Sequence, residues 1–144
     1  MTNHVHLLLT PRKAHSPGEL LKRLGQRYVQ YINRTYRRSG TLWEGRFRSC
    51  LIEPEKYLLA CHRYIEMNLV DHPWDYKWSS HRKNALGESS DLITAHTLYQ
   101  DLGETDKDRQ KNYQGLFNFA LPIDMVKKLT MQQMVTLHWE VGNS

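Results

Sequence analysis

A chain of 144 residues is long enough for one domain with a moderate core and too short for two enzymatic domains. Two cysteines, no apolar run near 18 residues and no signal-like apolar segment at the start argue against a disulfide scaffold, a membrane-spanning protein and a secreted precursor, and lead to the expectation of a reduced, cytoplasmic protein. The formal net charge of +5 is unevenly laid out: residues 1–50 hold ten of the twenty Lys and Arg against Glu19 and Glu44 alone, whereas the remainder holds ten against thirteen acidic residues. A polyanion would be met by the first part of the chain.

Residues 3–10 read as a buried strand closed by Pro11. Within it His4 and His6 stand two apart, so both are expected on one face while Val5 enters the core. Two neighbouring imidazoles suit a divalent cation if a third ligand comes from elsewhere; taken alone, such a pair near a terminus is more often two ordinary histidines. Ser16-Pro17-Gly18-Glu19 predicts a helix start, with Ser16 as N-cap and Pro17 at the first helical position. Leu20, Leu21, Leu24, Tyr28, Tyr31 and Ile32 follow at helical spacing and predict a helix over 17–36 that buries this stripe and exposes Lys22, Arg23 and Arg27.

Arg37-Arg38-Ser39-Gly40 ends that helix, and residues 42–52 read as a loop running into a strand, with Gly45 placed where backbone can come close to a ligand. Pro54 introduces a second helix, 56–68, whose inner side is expected to carry Tyr57, Leu58, Cys61, Tyr64 and Ile65, with Glu66 facing solvent. Residues 69–73 break it. Trp74 to Ser80 reads as a structured turn in which Trp74 and Trp78 form a hydrophobic latch, His81 to Leu86 as a short helix, and 87–91 as a loop. Further helices are expected over 92–102, 106–119 and 124–134, so that residues 1–86 form the core and 87–144 a helical extension packed on it.

In the basic stretch arginine predominates and is interleaved with aromatics, as in Arg27-Tyr28, Tyr36-Arg37-Arg38 and Arg46-Phe47-Arg48. Guanidinium groups grip phosphates bidentately and aromatic faces stack on unpaired bases, a combination suited to single strands or hairpins. The candidate DNA-binding residues are Arg27, Arg34, Arg37, Arg38, Trp43, Arg46 and Arg48; the alternative is a solvated basic surface.

On the second helix Tyr64 and Asn68 are four apart and share a face. Two imidazoles and an amide oxygen can hold a hard divalent cation with positions open for a phosphodiester oxygen and water. A tyrosine beside a phosphate polarised in this way can attack it and form a phosphotyrosine. Each residue also has a plainer role: Tyr64 as a half-buried core side chain, Asn68 as a helix C-cap. Tyr28 and Tyr57 are competing candidates for the nucleophile that are set aside in favour of Tyr64, and Cys50, Cys61 and His62 lack the spacing of a zinc site.

Asn3-His4-Val5-His6-Leu7-Leu8, Ser39-Gly40-Thr41-Leu42-Trp43-Glu44-Gly45-Arg46-Phe47 and Arg63-Tyr64-Ile65-Glu66-Met67-Asn68-Leu69-Val70, in this order, resemble the motif blocks of the single-tyrosine HUH transposases, specifically the REP-associated tyrosine transposases. Tyr76-Lys77-Trp78-Ser79-Ser80 resembles a further family segment, so the likeness runs over residues 1 to 80. The resemblance implies an α+β, ferredoxin-like fold, an antiparallel sheet flanked by helices. It implies His4, His6 and Asn68 as metal ligands for magnesium or manganese and Tyr64 as the catalytic nucleophile. The expected activity is cleavage and rejoining of single-stranded DNA beside hairpins, through a 5′-phosphotyrosine, in transposition. Family members usually carry a strand and a helix ahead of the first block, and Leu69 stands where they more often have proline; the sheet is expected to lack its N-terminal strand and helix, with an edge open to homodimer pairing. The competing expectations are a truncated, catalytically inactive DNA-binding module and a metal-dependent hydrolase that does not use the tyrosine.

Overall fold

The computed structural model describes residues 4–43, 45–67, 72–131 and 135–138. The chain forms two compact units, one made of residues 1–50 with 133–144 and the other of residues 51–132.

In the first unit the alternating His-Val-His-Leu segment forms strand β1 (His4–Leu7). It pairs antiparallel with β2 (Val135–His138), His4 opposite His138, Val5 opposite Leu137, His6 opposite Thr136 and Leu7 opposite Val135. The C-terminal segment expected to be helical therefore also supplies a strand. Helix α1 (Ser16–Thr35) has Pro17 in its first turn, as its sequence predicts, but the cap is displaced by one residue. His15 is the N-cap and makes no side-chain cap bond; the amide of Ser16 donates to the carbonyl of Lys13, so a preceding turn delivers the chain into the helix and Ser16 is already inside it.

The α1 stripe is corrected more deeply. Leu21 and Gly25 are buried, whereas Leu20, Leu24, Tyr28 and Tyr31 are exposed. The reason is the packing partner: the segment after the helix lies on the Leu21–Gly25 line, about 100° around the helix from the Leu20–Leu24–Tyr28 line. At its C-terminus the helix closes with Arg37 in the left-handed region (φ 50°) and the amide of Arg38 donating to the carbonyl of Asn33 at 3.0 Å, a Schellman closure with arginine where glycine is usual. The strand expected within 42–52 is reduced to single bridge positions at Trp43 and Arg48 among the described residues.

The second unit is built on helix α2 (Pro54–Met67), which packs against α4 (Thr97–Gln100) and α6 (Ile123–Met131). Helix α3 (His81–Leu86) matches its expected bounds and ends on the left-handed Gly87; it packs on α5 (Asp106–Gly115), which opens with a Thr105–Asp108 capping box. Residues 92–102 are helical only over α4, because His96 caps a start there through its ring nitrogen and residues 91–96 are irregular. The core centres on the fully buried Tyr113, whose ring meets Tyr99 at 5.5 Å, Phe117 at 5.6 Å, His62 at 6.2 Å and His81 at 6.3 Å, with Leu58, Cys61, Ala85 and Leu129 buried in the same unit. Trp74 and Trp78 are not a latch: both are exposed, Trp74 stacked on His72 at 4.7 Å and Trp78 under the ammonium of Lys77 at 4.6 Å. An aromatic ring flanked by a cation keeps favourable contacts without entering the core.

Candidate active site and nucleic-acid surface

His4 and His6 occupy alternate positions of β1, in the first unit. Tyr64 lies on the last two turns of α2, in the second unit, half-buried. Asn68 and Glu44 lie outside the described residues. Among the described residues no three His, Cys, Asp or Glu side chains gather as they would around a metal ion.

Two residues beyond Tyr64, the expectation for Glu66 is overturned. Its side chain is fully buried and accepts three hydrogen bonds: from Ser80 Oγ at 2.5 Å and Asn84 Nδ2 at 3.3 Å on Oε1, and from His81 Nδ1 at 2.9 Å on Oε2. A buried carboxylate is tolerable only when its lone pairs are so occupied. The three donors come from the start of α3, so Glu66 ties the last turn of α2, which carries Tyr64, to the first turn of α3. Ser80 is the N-cap of α3 but spends its hydroxyl on Glu66 rather than on the helix amides; Ser79 Oγ accepts from the His81 amide instead. On the same side of α2 His62 sits 4.0 Å from Glu66. Burial, reinforced by His96, pulls the His62 pKa below its ordinary value against the opposing pull of Glu66. The phenol of Tyr113 is held protonated by burial, with the Glu66 charge acting in the same direction. Next along the helix, the buried Arg63 donates to the carbonyl of Phe119 and lies over the Phe117 ring. Arg63 and Glu66 are thus structural groups that the helical pattern, which treats charge as outward, did not reveal.

The basic residues of the first unit divide by position. Arg27, Arg34, Arg37 and Arg38 are exposed along and beyond α1. Trp43 is half-buried: its indole lies against Gly25, where a β-carbon would come within 3.2 Å of Nε1, and its ring is 5.9 Å from that of Tyr28. Its amide donates to Thr41 Oγ1 at 3.1 Å, and Asn33 Nδ2 donates to the carbonyl of Gly40 at 2.9 Å, which fastens the segment to the helix. Between that segment and α1 runs an open groove of about 860 Å³, and Trp43 and Arg46 line it. Arg48 lies just past the segment that lines it. Gln26, Gln30 and Thr41 also line the groove and were not singled out from sequence. A signal was present: Gly25, in the middle of a helix, marks a face where something approaches closely.

Among the described residues no helix is long and apolar enough to cross a membrane. No curated protein and no solved structure matches the chain. Residues 1–68, the stretch that contains both the His4/His6 strand and Tyr64, match the model of the family described as transposase IS200 like, and it is to these DNA-transposing enzymes that this part of the chain is similar.

Proposed function

We propose that the protein is a metal-dependent single-tyrosine transposase that nicks and rejoins single-stranded DNA beside hairpins, of the REP-associated type and with an HUH core. The observation that carries this reading is the family match over residues 1–68, which spans the histidine pair, the Trp43–Phe47 segment and Tyr64 in one alignment. The donor set suits the role. His4, His6 and Asn68 would offer two imidazole nitrogens and one amide oxygen, a neutral set that leaves a dication its charge for a phosphate. Magnesium or manganese held there would supply Lewis-acid polarisation of the scissile phosphate.

Tyr64 Oη attacks the phosphorus, a phosphotyrosine bond to the 5′ side forms, and the bond from phosphorus to the 3′ oxygen breaks. The phenolic proton is lost to solvent as Oη attacks, and the departing 3′ oxygen takes up a proton to leave as a hydroxyl. A second strand's 3′ hydroxyl reverses the step, so strands exchange without an external energy source. Glu66 does not touch the phosphate in this scheme; its bonds to α3 hold the turn of α2 on which Tyr64 is carried.

The test uses single-stranded oligonucleotides with a hairpin, labelled at either end, incubated with magnesium or manganese and resolved on a denaturing gel. The expected result is a metal-dependent protein–DNA adduct on the 5′-phosphate side that is lost in Tyr64→Phe. Cleavage without an adduct would assign a hydrolase, and salt-sensitive retention without cleavage would assign a non-catalytic binding module.

A further inference from the structure

We infer that the groove between α1 and the segment carrying Trp43, Arg46 and Phe47 takes an unpaired base of single-stranded DNA and reads its edge with Gln26 and Gln30. The inference rests on DNA being the partner, as proposed above, and assigns which surface of the first unit meets a base rather than a phosphate.

The groove lies wholly within the first unit and its lining is sorted by chemistry. Its walls are flat or apolar: Trp43 and Phe47 on the segment side, Val29 and Leu21 on the helix. An unpaired base offers two π faces, and stacking on an aromatic side chain contributes about 1–3 kcal/mol per base. Gln26 and Gln30 stand one turn apart on the same helix face, both exposed, so two amides present donors and acceptors side by side. That is the chemistry that pairs with the edge of an adenine or another base. Lys22 and Arg46 supply the cations, and among the described residues no Asp or Glu lines the groove. A base with its flanking phosphates is complementary to that arrangement; an acidic surface without bases would leave the amides and aromatic walls unused.

The space is real at backbone level. A β-carbon added at Gly18 or at Gly45, both of which line the groove, would meet nothing within 4 Å. A volume near 860 Å³ lies in the range of small-molecule clefts and exceeds what one base requires, so a base and part of its neighbour can enter. Paired bases have their faces stacked and their Watson–Crick edges engaged in the duplex, so a groove with aromatic walls selects unpaired strands.

The test measures binding of the full chain to fluorescently labelled single-stranded oligonucleotides by anisotropy at several salt concentrations. The set comprises homopolymers of dA, dC and dT, an abasic strand of the same length and an RNA of matched sequence. The wild-type chain should prefer one base over the others by about fivefold or more, and the abasic strand should bind more weakly than any. Gln26→Ala/Gln30→Ala, which alters two exposed side chains, should erase the base preference and leave the salt dependence unchanged. Gly45→Leu, which fills the open space, should weaken base-bearing strands and spare the abasic one. Lys22→Ala and Arg46→Ala should weaken every strand alike and each lower the salt slope by about 0.7.

An abasic strand that binds as tightly as the others, or a base preference that survives Gln26→Ala/Gln30→Ala, overturns the assignment; tighter binding of the RNA overturns the choice of DNA. The two proposals fail separately. A Tyr64 adduct alongside an unaltered base preference leaves the transposase standing without the groove, and a lost base preference in a chain that never forms an adduct leaves the groove standing without the transposase.

Discussion

The two units differ in what they do with their polar and charged side chains. In the second, several charged and hydrogen-bonding side chains go inside and find partners there: Glu66 with Ser80, His81 and Asn84, Arg63 through its terminal nitrogen with the Phe119 carbonyl, Tyr99 with the Asn84 carbonyl at 2.7 Å. In the first, Leu21 and Leu42 are buried while Leu20, Leu24, Tyr28 and Tyr31 are exposed along α1 beside an open groove; the second unit also exposes apolar side chains, Trp78, Leu92 and Phe119 among them, but not along one helix lined with arginines. Buried, satisfied polar groups give a uniquely ordered unit, because each misplacement leaves an unpaired group in a low-dielectric interior. Exposed aromatic and aliphatic surface beside arginines gives a unit suited to receiving something else. The division agrees with charge: the excess of arginine lies in the first unit, the acidic residues mostly in the second.

The strongest way to break the comparison is Glu66→Ala. It strands three donors in the core and should cost about 3–5 kcal/mol, a large part of an ordinary domain's stability. Hydrogen exchange followed peptide by peptide should show faster exchange in α2, α3 and α5 with β1 and α1 little changed. Equal protection in mutant and wild type would mean that the network is not what orders the second unit.

Next in size is a paired substitution on α1. Leu21 is 3% exposed and Leu24 is 48% exposed, although both belong to one helical repeat. Leu21→Ala should lower stability by about 2–3 kcal/mol, and Leu24→Ala by less than about 1 kcal/mol. Similar urea midpoints for the two variants would show that the exposed stripe is covered in solution and that the contrast between the units is overstated.

A smaller effect comes from pH. His62, buried and pulled below its ordinary value near 6.5, binds its proton less firmly folded than unfolded. The unfolded chain therefore takes up more protons as pH falls through about 6.5, and stability rises with pH across that range and is lost on acidification. Glu66 opposes this and His96 adds to it. The thermal midpoint should drop between pH 7 and pH 5, and His62→Gln should flatten that drop; an unchanged slope in the variant would assign the acid sensitivity to another group.

Much of the helical framework is legible locally, because α1, α2, α3 and α5 carry their own start signals or stops: Pro17, Pro54, Gly87 and the Thr105–Asp108 box. What escapes local reading is what depends on distant partners. β2 is four residues long and makes sense only opposite β1, more than a hundred residues earlier. Glu66 looks outward on a helical wheel, and only donors 14 to 18 residues downstream turn it inward. The α1 stripe has the periodicity of a core face, yet periodicity does not say which of its two adjacent lines the neighbouring segment will cover. Of the site, the positions of His6 and Tyr64 on a strand and a helix follow from pattern, and so does the place of His4 in β1; Asn68 lies outside the described residues.

Arg37 offers the finest test of the contrast, because structure and binding pull on it in opposite directions. Its backbone is in the left-handed region, which a residue with a β-carbon occupies at a cost of about 1 kcal/mol or more. Glycine at this closure relieves that strain but enlarges the freedom of the unfolded chain, so Arg37→Gly should stabilise by only about 0.5 kcal/mol. Arg37→Asn, which tolerates the same φ with less freedom to lose, should stabilise by at least as much. Both remove one candidate phosphate contact, and for single-stranded DNA each should reduce the salt slope by about 0.7 to the same extent. Gains in stability over the wild type in both variants, with equal losses of binding, would show that an arginine is kept at a strained position for its charge. If binding is unchanged in both, Arg37 belongs to the solvated surface, and the nucleic-acid face of the first unit is confined to α1 and the groove.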